Sequence, residues 1–460
     1  MQRPFLTLLL LLATTSLMAQ KEDSIFIRRI ADEILTNGKA YDDLRVLTKQ
    51  IGGRLTGSPQ MVKAEAWGLK TMKGAGADNT WLQECIVPHW VRGGKDVATA
   101  FTGNITKLDG AHPHTLDVLA LGNSLGSSKA IQASVLEINS FDELEAKKDQ
   151  VKNKIIFYNV KFNPTYVHTF ESYRDAVVYR AFGPSRAAKY GAKAVIVRSM
   201  SHSTDNNPHT GSLRYIDSFA KIPAVAIGLR DADWLDSTLS KRQVIVSMQT
   251  HGHFLPDTIG HNVIGELKGT EFPDQYITIG GHLDSWDPAE GAHDDGAGVV
   301  QTMEVLRVLK TLGYRPKHTI RFVLFANEEN GTKGGAKYAE EAKRKGENHI
   351  FALESDEGGF TPRGFGIDAT ELQYQKVLSW KDLLSPYGAT EITRGGGGSD
   401  IGFLKEQLKT PQGSLAPDSQ RYFDIHHSRN DVFENVNKRE LELGAVNIAA
   451  LIYLVDKYGL

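Results

Sequence analysis

The chain has one cysteine, Cys85, in 460 residues. An intramolecular disulfide and a thiolate metal site are therefore excluded, so any bound metal must draw on histidine and carboxylate, and stability must come from packing and metal. Charge of one sign is missing as well: 53 lysines and arginines stand against 55 aspartates and glutamates, a net −2 with histidine neutral. That balance gives no electrostatic reason to bind nucleic acid or an acidic membrane, and a small partner fits better. Long apolar runs are absent beyond the first residues. The one short run, Phe5–Leu12, follows Arg3 and gives way to Thr14, Thr15 and Ser16; it falls short of the ~20 residues a spanning helix needs. With Leu17-Met18-Ala19 behind it, the pattern reads as a cleaved signal peptide over residues 1–19, predicting a secreted or periplasmic protein with no membrane attachment in its mature form. No repeat or low-complexity tract appears. Gly52–Pro59 is glycine-rich but lacks the lysine and strand-to-helix setting of a phosphate loop, and reads as a structural turn.

What is present is apolar residue enough, 41% of the chain, for more than one core, in a length beyond that at which a single core stops growing. Two folded units are predicted. Residues 20–109 and 252–460 form one, and residues 110–251 are inserted in it. Ser24–Thr48 has helical spacing on either side of Asn37-Gly38, Ala64–Met72 continues as helix, and Thr80–Pro88 reads as a strand. The insert reads as β-rich, with short strands at Ile131–Ile138, Lys154–Val160, Ala194–Arg198, Ala224–Ile227 and Gln243–Gln249, and a helix before the third. Its loop Ser201–Gly211 is too polar for core and belongs at a site rim or in a mobile segment; His202 and His209 in it read first as solvated. After Gly260 strand and helix alternate through Ile277–Gly280, Asp294–Leu312, Thr319–Ala326, Gly334–Lys345 and Ile350–Leu353. That alternation predicts an α/β fold with a mainly parallel mixed sheet flanked by helices, closed by a long helix over Leu441–Tyr458.

Sheets of this kind bind ligands beyond the carboxyl ends of their strands, and polar residues fall at those ends repeatedly. Tyr276–Ile279 leads to His282, Thr319–Ala326 to Glu328-Glu329, and Ile350–Leu353 to Glu354-Ser355-Asp356. Asp294-Asp295 opens the following helix, and Asp424–Asp431, with His426 and His427, precedes the last one. Each cluster has a plainer reading: a solvated turn, a helix cap, a surface histidine tract. Together at one edge they favour a site in which neutral imidazole and carboxylate oxygen bind a zinc-class ion. Asp284, two residues after His282, and Asp431, four after His427, are placed to accept from the imidazoles and fix their tautomers.

The motifs RLTGSP (54–59), GHLDSW (281–286), HDDGAG (293–298), NEE (327–329), ESD (354–356) and HHSRND (426–431), in that order, resemble those of the zinc-dependent amino- and carboxypeptidases whose site holds two zinc ions sharing one aspartate. The resemblance covers nearly the whole mature chain, and the insert, ending in KIPAVAIGLRDADWL, resembles a protease-associated domain. It implies that His282 and Asp356 hold one zinc, Glu329 and His427 the other, and that Asp294 bridges them. Asp294 is preferred to Asp295 because the family's bridging residue is the first of the pair, followed by a cis peptide. Glu328 becomes the general base. His426 takes the place where several relatives carry a tyrosine that steadies the tetrahedral intermediate, and a slip of one residue makes His426 the ligand instead of His427. Gly395–Asp400, with Ser399 and Asp400, resembles the loop that shapes the substrate pocket.

The implied function is a secreted di-zinc exopeptidase for dipeptides or short peptides, with the insert covering the cleft; the resemblance also suggests a homodimer. Alternatives are an aminopeptidase for longer peptides, a single-zinc glutaminyl cyclase, and a non-catalytic binding protein on the same scaffold. The last is disfavoured because all five ligands and the base are present. A donor set of this kind also accepts cobalt or manganese.

Overall fold

The computed structural model describes residues 21–102 and 112–460. The expected signal peptide over 1–19 and the expected boundary at 109–110 lie outside the described residues. Two eight-stranded sheets organise the rest. In the first, His318–Phe325, Phe272–His282, Asn348–Glu354 and Gln412–Pro417 lie side by side and parallel. His253–Leu267 and Asn79–Val91 extend this centre antiparallel at one edge, and Pro362–Asp368 with Glu391–Arg394 extends it at the other.

The central strands read as unbroken apolar runs because both faces are covered. Every residue of His318–Phe325 is buried. Ile320, Phe322 and Leu324 join Ile277, Ile279 and Leu353 in the main core, with the helices Ala297–Thr311 and Lys438–Tyr458. Val323, Phe325 and Ala352 point the other way, onto Tyr338, Ala339 and Leu404 of the helices Lys333–Lys345 and Gly402–Leu408. The last helix starts at Asn437, whose side chain accepts from the amides of Arg439 and Glu440, and stays buried from Gly444 through Asp456. Asp456 accepts from the amides of Lys317 and His318, so a charge inside the core is matched by two donors at a strand start. The helix expected from Asp294 begins three residues later, at Ala297, because Asp294 and Asp295 have non-helical backbone angles. Among the described residues no helix is long and apolar enough to cross a membrane.

The second sheet runs in the order 112–116, 97–102, 245–249, 131–138, 155–158, 194–198, 224–227, 118–120. Its strand Val97–Thr102 precedes residue 110 in the chain. Asn79–Val91 pairs with His253–Leu267, from Asn79 opposite Glu266 to Val91 opposite His253, so one antiparallel ribbon is formed by the segments that lead into and out of the second sheet. Its centre, from Ile131–Ile138 to Ala224–Ile227, is parallel. The insert also carries helix where no periodicity announces it. Thr169–Ala181 scatters Phe170, Val177 and Val178 among polar residues, because one of its sides borders a cleft rather than a core.

Candidate metal centre

Three adjacent parallel strands deliver their carboxyl ends to one edge. His282 is the last residue of its strand and lies level with Phe325 of the next. Glu328 and Glu329 follow Phe325 after a turn at Asn327, whose φ of 66° is left-handed. Asp356 lies two residues beyond Asn348–Glu354. Asp294 reaches the same point from the turn ahead of the helix Ala297–Thr311, and its peptide bond to Asp295 is cis. Gly298 lets this turn press against the neighbouring strand end: a Cβ there would sit 1.8 Å from the carbonyl oxygen of Ser355. His427, at φ 59°, comes from the segment after Tyr422–Ile425.

The side chains converge in two groups that share Asp294. His282 Nε2 lies 3.1 Å from Asp294 Oδ1 and 3.2 Å from Asp356 Oδ1. His427 Nε2 lies 3.1 Å from Asp294 Oδ2 and 3.1 Å from Glu329 Oε2. His426 Nε2 is farther from Asp294 Oδ2, at 3.6 Å, and its ring stacks on His427. The groups His282, Asp294, Asp356 and Asp294, His426, His427 each bring three ligand atoms close enough for one ion. Asp294 Oδ2 and Glu329 Oε1 are buried without a hydrogen bond. Orphaned buried carboxylate oxygens are costly unless a cation completes them, so these residues fit divalent metal ions of the zinc class.

The electrostatics agree. Burial opposes charge on both imidazoles, yet Asp356 and Asp294 carry His282 well above its ordinary value, and Glu329 and Asp294 do the same for His427. Asp294 is held well below the usual carboxylate range despite its burial, through His282 and His427. Glu329 is pushed up to about 8 by burial and by the charge of Asp294. Asp356 is pushed up to about 6, chiefly by burial. Three carboxylates thus face two imidazoles, and a cation relieves the surplus of negative charge. His426 is driven well below its ordinary value by burial and then by His427.

The family model of peptidase family M28 matches residues 262–452, the stretch that supplies all of these side chains. A carboxypeptidase Q from Bos taurus is 33% identical over 422 residues, which cover 91% of this chain and 85% of that protein. The chain belongs to peptidase family M28. A solved peptidase M28 precursor from Shewanella amazonensis SB2B superposes with a TM-score of 0.88 at 30% identity, over 95% of this chain and 97% of that one. A zinc aminopeptidase from Bacillus subtilis shares the fold, with a TM-score of 0.62 at 18% identity over 90% and 93% of the two chains. As an M28 enzyme the protein is a metallopeptidase.

Around the centre of this M28 peptidase, several carboxylates do something other than expected. Asp284 was expected to accept from His282, but its carboxylate is 3.8 Å from Nδ1; its main-chain carbonyl is nearer, at 3.0 Å. The carboxylate instead accepts from the amides of Glu328 and Glu329 and from the Thr56 hydroxyl, and so fixes the turn bearing both glutamates. Asp431, expected beside His427, accepts from the amides of His293 and Asp294. Asp295 accepts from the amides of His282 and Gly298. All three hold backbone in place, because strand ends and tight turns leave amides without partners. Asp400 is buried behind the site, its amide donating to Glu354, while its neighbour Ser399 borders the cleft. The RLTGSP turn is a prop: fully buried Arg54 donates to the carbonyls of Leu283, Glu290 and Gly291. Arg54→Ala leaves these acceptors bare and is expected to cost at least about 3 kcal/mol of stability. Chemical denaturation checks this; a loss below about 1 kcal/mol, the scale of an ordinary substitution, would show that the turn stands without it.

The cleft itself has a volume of about 750 Å³. It is lined by Asp294, Glu328, Glu329, Asp356, His426 and His427 and, from the expected insert, by Asn123, Phe170, Tyr173, Arg180, Ser212 and Arg214. None of these insert residues was singled out from the sequence, where each is an isolated polar or aromatic residue outside any motif. His209 is buried beside the site, pushed down to about 4 by burial, and His202 packs edge-on against Phe162. The loop that carries them reaches the site at Thr210, whose amide donates to the His427 carbonyl.

Proposed function

We propose that the chain is a di-zinc exopeptidase acting on dipeptides or short peptides, with Asp294 shared between the ions, His282 and Asp356 completing one site and Glu329 and His427 the other. The observation that carries this reading is that the two oxygens of Asp294 face different histidines, each of which meets a further carboxylate. His427 is the better ligand of the histidine pair, since its Nε2 is close to Asp294 and Glu329 alike. Bound there, two zinc ions supply Lewis acidity towards the scissile carbonyl and acidify water to near neutral pH.

Glu328 is the base. It borders the cleft beside Asp294 and Asp356, and its amide is anchored on Asp284 independently of its carboxylate. The carboxylate takes a proton from water as the C–O bond forms, then passes it to the departing nitrogen as the C–N bond breaks. Neutral His426, on the cleft wall, donates to the carbonyl oxygen as negative charge develops on it. Arg180 and Arg214 border the cleft, and among the described residues neither pairs with a carboxylate; Arg180 is 6% exposed. A buried guanidinium without a counter-ion suits the free carboxylate of a short peptide. This favours dipeptidase or carboxypeptidase action over trimming of long chains from the amino end, and the wall formed by the insert excludes folded substrates. A signal peptide over residues 1–19 gives such an enzyme a secreted or periplasmic address.

Elemental analysis alongside hydrolysis of a panel of unblocked dipeptides tests the reading. Two zinc ions per chain with chelator-sensitive cleavage are expected. One zinc without cleavage would move the assignment to cyclisation, and no metal after zinc is supplied would sink the site. Arg214→Ala is expected to raise KM about tenfold for peptides with a free carboxylate, the worth of about 1.4 kcal/mol, and to leave amidated analogues unaffected. Equal KM changes for both substrate classes would remove Arg214 from substrate recognition.

A further inference from the structure

Resting on the di-zinc reading above, we propose that Thr210 of the insert is a positioning residue of the metal centre. Its main-chain carbonyl holds His427 in the tautomer and orientation that turn Nε2 towards Asp294 and Glu329. The insert is then part of the metal site and not only a cover for it.

His427 sits at φ 59°, a left-handed conformation that is unfavourable for a side-chain-bearing residue and persists only where the surroundings enforce it. Part of that enforcement crosses from the insert: the Thr210 amide donates to the His427 carbonyl at 2.9 Å. The ring is held at the same place, with Nδ1 3.3 Å from the Thr210 carbonyl oxygen. His426 stacks on the ring with centroids 3.6 Å apart, and Trp286 meets it edge-on. Thr210 is itself fixed in the insert. Its hydroxyl donates to the carbonyl of Ala120, the His209 amide donates to Ser199 Oγ, and the Gly122 amide donates to the Gly211 carbonyl. His427 is thereby tied to the strand Val118–Ala120.

The chemistry of the neighbours decides the tautomer. Arg180 Nη1 is 3.3 Å from His427 Nδ1 and 3.3 Å from the Thr210 carbonyl oxygen. A guanidinium only donates. Were it to donate to Nδ1, the ring proton would sit on Nε2 and block the metal face. With the proton on Nδ1, the ring and Arg180 both donate to Thr210, whose carbonyl has two lone pairs, and Nε2 keeps its own pair for the ion. His282 uses the same device within its own segment, through the Asp284 carbonyl 3.0 Å from its Nδ1. Gly211, at φ 125°, leaves no room between these groups: a Cβ there would lie 2.4 Å from the Arg180 guanidinium and 2.6 Å from His427 Nδ1.

Gly211→Ala drives a methyl group into that contact. One of the two zinc sites is expected to weaken by about 10- to 100-fold, the usual cost of losing such support, while the other keeps its affinity, as read by competition with a chromophoric chelator. Weakening of neither site, or of both equally, would overturn the proposal. Should the variant fail to fold, nitrogen–proton correlation spectra of the histidine-labelled, zinc-loaded wild type decide it, with His427 assigned through His427→Asn. A proton on Nδ1 supports the proposal and a proton on Nε2 overturns it. Fewer than two zinc ions in the wild type would overturn the di-zinc reading itself, and this inference with it.

Discussion

Glu328→Gln is expected to keep both metal ions and to lose about 10³-fold in kcat, within the range that a positioned general base contributes. The substitution preserves size and shape and removes only the capacity to accept a proton. The fold of the turn does not depend on the carboxylate, because what anchors Glu328 is its amide, donating to Asp284 Oδ1 at 3.0 Å. Metal content and thermal midpoint should therefore match the wild type while turnover collapses. KM should change little, since the lost interaction belongs to the transition state. The neighbouring Glu329→Gln is expected to behave differently and to weaken one metal site, because Glu329 Oε2 faces His427 Nε2 at 3.1 Å. The two glutamates can be told apart in this way even though both carry the same chemistry at consecutive positions. A Glu328→Gln enzyme with near-full activity would show that another group takes the proton.

The difference between those two residues also marks how far the sequence can be read. His282, Glu329 and Asp356 are legible because each follows an apolar run, and parallel strands of a doubly covered sheet carry their ends to one edge. Asp294 is legible as one of a pair, and the resemblance chooses within the pair. His426 and His427 are legible only together; the 3.1 and 3.6 Å separations from Asp294 Oδ2 are what distinguish them. Asp284 shows how a correct residue receives the wrong partner. A carboxylate two residues after a histidine looks like its acceptor, but at a strand end the main-chain carbonyl is nearer, and the carboxylate is left to serve the amides of a different strand's turn. That the insert covers the cleft is an expectation from the resemblance, but the residues through which it reaches the site are not legible. Thr210 acts through its main chain, 217 residues from His427 in sequence, and a carbonyl leaves no signature in residue type. Arg180 lies in a helix whose apolar residues follow no single face, so periodicity could not orient it.

Asp294→Ala is expected to empty both sites, and the reason separates it from every other ligand substitution. In the proposed di-zinc arrangement, losing His282 or Asp356 takes donors from one ion, and losing Glu329 or His427 takes them from the other. Asp294 gives one oxygen to each group, so its removal lowers both affinities at once, by more than the 10- to 100-fold that a supporting residue costs. Activity should fall to the level of metal-free protein. A second readout is independent of turnover. Zinc at about a thousand times its Kd adds about 4 kcal/mol per site to the folded state, so wild type and Glu328→Gln should both gain thermal stability on addition of zinc, and Asp294→Ala should gain almost none. His282→Ala should retain part of the gain, because Asp294, Glu329 and His427 remain together. If Asp294→Ala also kept half of the zinc-dependent shift, the aspartate would belong to one site only, and two independent ions, rather than a shared pair, would be the correct description of the centre.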